Sequence, residues 1–313
     1  MRALVTGGAG FVGSHLSERL LSQGAEVVAI DCFTDYYPRE IKERNLAGAR
    51  GQSNFTFIDA DLNHANLNDL LAGVTHVFHL AAQAGVRKSW GRDFQTYTRL
   101  NVDATQRLLE ACVGKAIARV VYASSSSVYG DAVAMPMRED AMVQPVSPYG
   151  VTKLAAEHLC HLYYVNHGVP TVALRYFTVY GPRQRPDMGF HRFFSAVLED
   201  RPLVQYGDGR QTRDFTFVAD AAAATADAAV RGAPGGVYNI GGGSRVSLRE
   251  VFDMIGRVSG RAVEIEQHPP QKGDMRDTYA DTSRAQADFG FRPSVDLETG
   301  LHAMFRWMES IRA

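Results

Sequence analysis

The chain of 313 residues holds three cysteines, Cys32, Cys112 and Cys160, and none of them forms a CxxC pair. Three thiols cannot all pair with one another, so a disulfide framework and a zinc site are both disfavoured and a reducing compartment fits. A net charge of −1, from 33 Lys+Arg against 34 Asp+Glu, removes any global electrostatic case for a nucleic-acid or membrane partner. The R-Q-R run at 183–185 is too short to read as a nucleic-acid patch. No apolar run reaches spanning length, and Met1 leads straight into a strand pattern, leaving no room for a signal peptide. Repeats and low-complexity tracts are lacking too. These absences set the expectation of a cytoplasmic protein with no resident metal, no membrane and no nucleic acid. A content of 45% hydrophobic and 21% charged residues is that of an ordinary globular chain.

What is present is an alternation. Short apolar runs at 3–6, 26–30, 55–58, 76–80, 119–123 and 171–176 read as strands buried on both faces. Between them, 10–23, 98–113 and 149–167 show helical spacing. Strand and helix in turn predict an α/β fold with a doubly wound parallel sheet. From Gly181 the rhythm breaks in the loop GPRQRPDMGF, and mixed helices and short strands follow. The expected division is 1–180 for the parallel sheet and 181–313 for a smaller mixed lobe. The run at 236–240, ending in Gly-Gly-Gly, is expected to return to the first sheet.

TGGAGFVGSH joins the first strand to the first helix, with Gly7, Gly10 and Gly13 at G-x-x-G-x-x-G spacing around Phe11 and Val12. Glycines there permit a tight turn, close approach of a pyrophosphate to the backbone, and close helix–sheet packing. Asp31 at the end of the second strand is placed to accept from a ribose diol. A 2′-phosphate would meet that carboxylate, so the expected cofactor is NAD rather than NADP. SPYGVTK then sets Tyr149 and Lys153 at i and i+4 on one helix face. A phenol with a pKa of about 10 is a poor base at neutral pH. A fixed ammonium beside it and the positive nicotinamide of bound NAD⁺ would favour the phenolate.

TGGAGFVG, HLAA, YASSSSVYG, SPYGVTK and LRYFTVYGP, in this order and spacing, resemble the extended short-chain dehydrogenase/reductases, and among them the NAD-dependent nucleotide-sugar epimerase/dehydratase family. The resemblance covers essentially the whole chain, since GDGRQTRDFTFVAD and GDMRDTYAD look like that family's UDP-sugar segments. It implies a tightly held NAD, a catalytic triad of Ser125, Tyr149 and Lys153, and oxidation of the sugar at C4. Further cofactor contacts implied are Asp61, Leu62, Leu80, Ala81, Ala82, Asn101 and Tyr176. Arg213 and Arg276 match the diphosphate arginines, and Gly189, Phe190, Arg192, Gln205 and Tyr206 would wall the uracil and ribose. A homodimer through the helices at 98–113 and 149–167 is the family expectation. His79 in HLAA reads as a satisfied buried histidine.

Which reaction follows is read from the serines. Dehydratases of the family commonly carry an Asp-Glu pair beside the catalytic hydroxyl, and UDP-glucuronate decarboxylases a Glu. Here Ser126 and Ser127 stand there, and an unperturbed hydroxyl cannot serve as the acid or base that elimination needs. Epimerisation remains. Thr178, with Arg185 in PRQRPDM and Arg87 in GVR, resembles the UDP-glucuronate 4-epimerases. A 4-keto uronic acid is a β-keto acid that sheds CO₂ when its carboxylate bond aligns with the carbonyl π system. Small hydroxyls and an arginine can hold it out of alignment. Three alternatives stay open at this point: a UDP-glucose 4-epimerase, a UDP-glucuronate decarboxylase, and a non-catalytic NAD-binding sensor.

Overall fold

The computed structural model describes residues 1–131, 134–271 and 273–312. Among them run twelve strands: β1 (Arg2–Thr6), β2 (Glu26–Asp31), β3 (Phe55–Asp59), β4 (His76–His79), β5 (Arg119–Ser125), β6 (Thr171–Tyr176), β7 (Thr178–Tyr180), β8 (Leu203–Tyr206), β9 (Thr212–Phe217), β10 (Val237–Ile240), β11 (Arg245–Ser247) and β12 (Ile265–His268). Seven form one parallel sheet in the order β10-β6-β5-β4-β1-β2-β3. The chain moves outward from β1 to β3, then restarts at β4 on β1's other side. That reversal opens a crevice at the carboxyl ends of β1 and β4, where such sheets bind their ligands.

Both faces of the sheet are covered, which is why its strands are apolar throughout. On one side Leu16 and Leu20 of the Phe11–Ser22 helix pack with Ala222, Ala226 and Ala229 of the Val218–Arg231 helix. On the other, Leu108 and Leu109 of the Ala104–Cys112 helix meet Ala156, Cys160 and Tyr163 of the Pro148–His167 helix. The last of these starts where local chemistry dictates. Ser147 caps it by accepting from the Gly150 N–H at 3.1 Å, Pro148 occupies the first turn, and Gly168 closes it.

The smaller lobe has its own sheets, β11-β9-β7 and β12-β8. Its core gathers Phe190, Phe194, Phe252, Leu301 and Met304. The lobes interleave as the glycine-ended run suggests, with β10 parallel to β6. The Val218–Arg231 helix returns to the large sheet as well, because its alanine face fits closely under the strands. The helix expected at 98–113 differs: Thr98–Asp103 is a π-helical turn and only Ala104–Cys112 is α-helical. The wider turn carries Asn101 inward. Its Oδ1 accepts from the Gln83 N–H at 2.7 Å, and its Nδ2 donates to Gln83 O and Thr152 Oγ1, both at 3.0 Å. No helix among the described residues is long and apolar enough to cross a membrane.

Candidate active site

The glycine loop builds the floor of the crevice from backbone. Gly7 has φ +69°, and a Cβ there would stand 2.8 Å from the Ala81 nitrogen. A Cβ on Gly13 would collide with the Gly7 carbonyl oxygen. Only bare backbone allows the helix start to lie this close under β1 and β4. The cavity above it is lined by Gly7, Gly10, Phe11, Val12, Gly13, Asp31, Asp61, Leu62, Leu80, Ala81, Ala82, Tyr149, Lys153, Tyr176 and Arg185. Asn101 does not line it, since its side chain is spent on Gln83 and Thr152. In this structure the Asn101 side chain braces the wall from behind. Lys42, which sequence reasoning missed, also faces the cavity. Its ammonium is buried 3.6 Å from Asp31 Oδ1 and lies over the Tyr37 ring.

A hydrogen-bonded relay holds that wall. The Ala81 N–H donates to Thr6 Oγ1 at 3.1 Å, and Thr6 Oγ1 lies 2.7 Å from His79 Nδ1. His79 Nε2 lies 2.9 Å from Thr105 Oγ1, whose proton goes to the Asn101 carbonyl at 2.6 Å. Thr105 has a single proton, so Nε2 carries the hydrogen and Nδ1 accepts from Thr6. His79 is therefore a neutral link. Burial, together with the Lys153 charge, holds its pKa down to about 3.

The catalytic candidates come together at the end of β5. A Cβ on Gly150 would lie 2.5 Å from the Ser127 carbonyl oxygen, so glycine lets the first turn of the 148–167 helix abut the serine turn. That contact brings Tyr149 to Ser125. Burial pushes the Tyr149 phenol up, while the neighbouring Ser125 hydroxyl and the positive charge of Arg185 pull it back. Lys153 is buried, donates to the Ala123 carbonyl at 2.8 Å, and lies over the Tyr122 ring. Burial lowers its pKa to about 8, which still leaves it mostly protonated at neutral pH. Ser125 faces Tyr176 across the parallel β5/β6 pair. Ser126 and Ser127 follow directly on the end of β5, and Thr178 opens β7 two residues after β6 ends.

Arg185 is not a free cation. Its Nε and Nη2 each reach an Asp187 oxygen at 3.0 Å, and the Tyr36 hydroxyl donates to the same carboxylate at 3.1 Å. Arg87 pairs with Asp274 at 2.7 Å and stacks 4.4 Å from the Tyr206 ring centroid. Arg213 donates to the carbonyls of Thr212, Met275 and Arg276. Arg276 reaches Asp208 at 3.4 Å, and its N–H donates to Asp131 at 2.7 Å. Gln205 is buried and donates to the Gly207 carbonyl, while Gly189 and Arg192 are exposed at the start of the Gly189–Leu198 helix. Phe190 is corrected to a core residue, 4.8 Å from the Phe215 ring and 5.3 Å from Tyr180.

Comparison with known proteins accords with this geometry. Residues 3–241 match the NAD dependent epimerase/dehydratase family. An uncharacterized UDP-glucose epimerase of Bacillus subtilis, YtcB, is 44% identical over 99% of both chains. A UDP-glucuronate 4-epimerase of Thermodesulfobacterium geofontis is 35% identical over 97% of this chain and 95% of that one. The crystal structure of the Bacillus cereus UDP-glucuronic acid 4-epimerase, in complex with UDP-glucuronic acid and NAD, superposes with a TM-score of 0.97 at 43% identity, over 99% of this chain and 100% of that one. With a glycine cradle, Asp31, Tyr149 and Lys153 around one cavity and a family model matching most of its length, this chain belongs to the NAD dependent epimerase/dehydratase family.

Proposed function

We propose that the chain is an NAD-dependent UDP-glucuronate 4-epimerase that interconverts UDP-glucuronate and UDP-galacturonate through a 4-keto sugar. The reading is supported by the likeness to UDP-glucuronate 4-epimerases and by the chain directly after Ser125, where Ser126 and Ser127 supply hydroxyls at the positions an elimination acid would take. The glycine cradle fits a dinucleotide, because side chains there would collide with Ala81 and with the Gly7 carbonyl. Gly7, Gly10, Gly13 and Asp31 would hold NAD, with Leu80 and Ala81 against its middle. When bound, NAD supplies hydride acceptance at C4 and hydride return.

The chain's own residues do the rest. Tyr149 Oη takes the proton of the 4-hydroxyl and later gives it back. Ser125 Oγ orients the reacting oxygen by hydrogen bonding, and Lys153 lends positive charge to the phenolate. Ser126, Ser127 and Thr178 hold the carboxylate out of line with the ketone while the sugar turns its other face. Arg185 offers only the part of its guanidinium that Asp187 leaves open. Arg87, Arg213 and Arg276, with Tyr206 and Gln205, take the UDP end. UDP-glucose 4-epimerisation is the second reading: YtcB is named as a UDP-glucose epimerase, and the same hydroxyls could contact a 6-hydroxyl.

Turnover of both sugars decides between them. UDP-galacturonate from UDP-glucuronate is expected. Strong activity on UDP-glucose with none on UDP-glucuronate replaces the first reading by the second, and CO₂ as the main product removes the restraint argument. Tyr149→Phe should abolish epimerisation while NAD stays bound. The enzyme is read as a cytoplasmic homodimer. A stripe of exposed residues on the 148–167 helix, Val151, Leu162 and Val165, supports a second copy there, and equilibrium sedimentation checks it. Three free cysteines support the compartment.

A further inference from the structure

Ser124 precedes the proposed catalytic Ser125, and its hydroxyl is engaged inside the protein, donating to Glu157 Oε2 at 2.6 Å. Glu157 lies one helical turn beyond Lys153. Its carboxylate receives Arg175 Nη2 at 2.6 Å on Oε1, and Arg175 Nε at 3.2 and 3.1 Å on its two oxygens. Arg175 is the β6 partner of Ser124 in the sheet register and precedes Tyr176 of the cavity wall. Ser124, Glu157 and Arg175 are 3%, 6% and 5% exposed. Arg175 Nη1 continues to Tyr129 Oη at 2.9 Å, and that hydroxyl donates to Asn239 Oδ1 of β10 at 2.7 Å.

We propose that Ser124, Glu157 and Arg175 are positioning residues that lock the end of β5, the 148–167 helix and β6 into the one register that places Ser125 against Tyr149 and Lys153. This rests on the reading of those three as the catalytic groups. A bidentate carboxylate–guanidinium pair fixes direction as well as distance, and the Ser124 hydroxyl extends that constraint to the strand carrying Ser125. Stability alone does not account for the unit, since well-packed apolar residues in place of a buried ion pair are often neutral or stabilising. Register does account for it. A misplacement of about 1 Å, less than the rise of about 1.5 Å per residue along a helix axis, can cost about a hundredfold in rate. The first of the four serines thus serves alignment.

The test uses the purified NAD-loaded enzyme with UDP-glucuronate. Ser124→Ala is expected to lower kcat by about tenfold, with KM, bound NAD and melting temperature unchanged, and Ser124→Thr, which restores the hydroxyl, to recover the loss. Wild-type kcat in Ser124→Ala overturns the proposal, as does a loss that Ser124→Thr does not recover or that follows loss of NAD. The paired variant Glu157→Leu/Arg175→Met is expected to keep its melting temperature and lose kcat; full kcat there also overturns it. Should that pair fail to fold, the Ser124 variants decide. Normal turnover in Tyr149→Phe instead strikes the parent reading, whatever Ser124 does.

Discussion

The residues proposed for NAD and those proposed for UDP make two ends of different materials. At the cofactor end the binding surface is backbone, drawn so tight that Gly7 and Gly13 leave no room for a methyl group. At the nucleotide end it is charged side chains already engaged within the chain: Arg87 with Asp274, Arg276 with Asp208, Arg213 with three carbonyls. The first surface is ready before its ligand arrives. On the proposed function the second exchanges an internal partner for a diphosphate, so its affinity is the difference between two sets of charge-assisted bonds. A mutation at the first end acts by collision, and one at the second by shifting a balance.

The largest effect should come from Gly13→Ala. Its Cβ meets the Gly7 carbonyl, a backbone atom that cannot swing aside, so NAD released on denaturing the purified protein should fall to near nothing. Wild-type NAD content would show the cradle to be looser than drawn. Arg213→Ala comes next. It removes the guanidinium from the 275–276 segment and should weaken UDP binding by calorimetry by about tenfold or more, with NAD content untouched. Arg213→Lys should not rescue it, because an ammonium cannot span three carbonyls as a fork does. Equal loss of NAD and UDP would erase the distinction between the ends.

Acid should act with opposite sign on particular buried groups. His79 and His15 sit in the large lobe with pKa held down to about 3 and about 4, in both cases chiefly by burial. Between those values and 6.5 the unfolded chain binds more protons, so stability drops as pH falls through that window. Asp214 of β9 is the reverse. Burial raises it to about 6 against the backbone N–H groups of Ala280 and Gly242, so the folded chain takes the proton first and gains as pH falls from 6 towards 4. For His79 alone the loss between pH 7 and pH 5 is about 2 kcal/mol. The urea midpoint of the wild type should fall more over that range than that of His79→Gln, and equal falls would remove the neutral relay.

What was legible in the sequence follows the same division. The glycine loop, Asp31 and the Tyr149–Lys153 pair depend on spacings within a few residues, and they stand in one cavity. The alternation of strands and helices announced the parallel sheet because burial on both faces leaves continuous apolar runs. The π-helical turn at 98–103 was not legible, since one extra residue leaves the amphipathic pattern intact and its reason, the Gln83 backbone, lies elsewhere in the chain. Phe190 belongs to the aromatic stripe it shares with Phe194, which reads as core as readily as wall. Glu157 and Arg175 did carry a signal: a charged residue on the buried face of a helix, and a lone arginine in TVALRY, each needing a partner. That they are each other's partner is a fact of packing.

The smallest effect is the most discriminating, because it has the unexpected sign. Asp274 stands 187 positions from Arg87 and binds it through Nε at 3.2 Å and Nη2 at 2.7 Å, with both side chains partly exposed. Such a pair is worth at most about 1 kcal/mol. If the nucleotide end works by exchange, that amount is subtracted from UDP binding, and Asp274→Asn should tighten UDP by about threefold to fivefold. The gain should shrink in high salt, because the pair is screened there. NAD content and melting temperature should not change. Weaker UDP binding in this variant would mean that Asp274 presents Arg87 to the diphosphate instead of competing with it, and the nucleotide end would then be as preformed as the cofactor end.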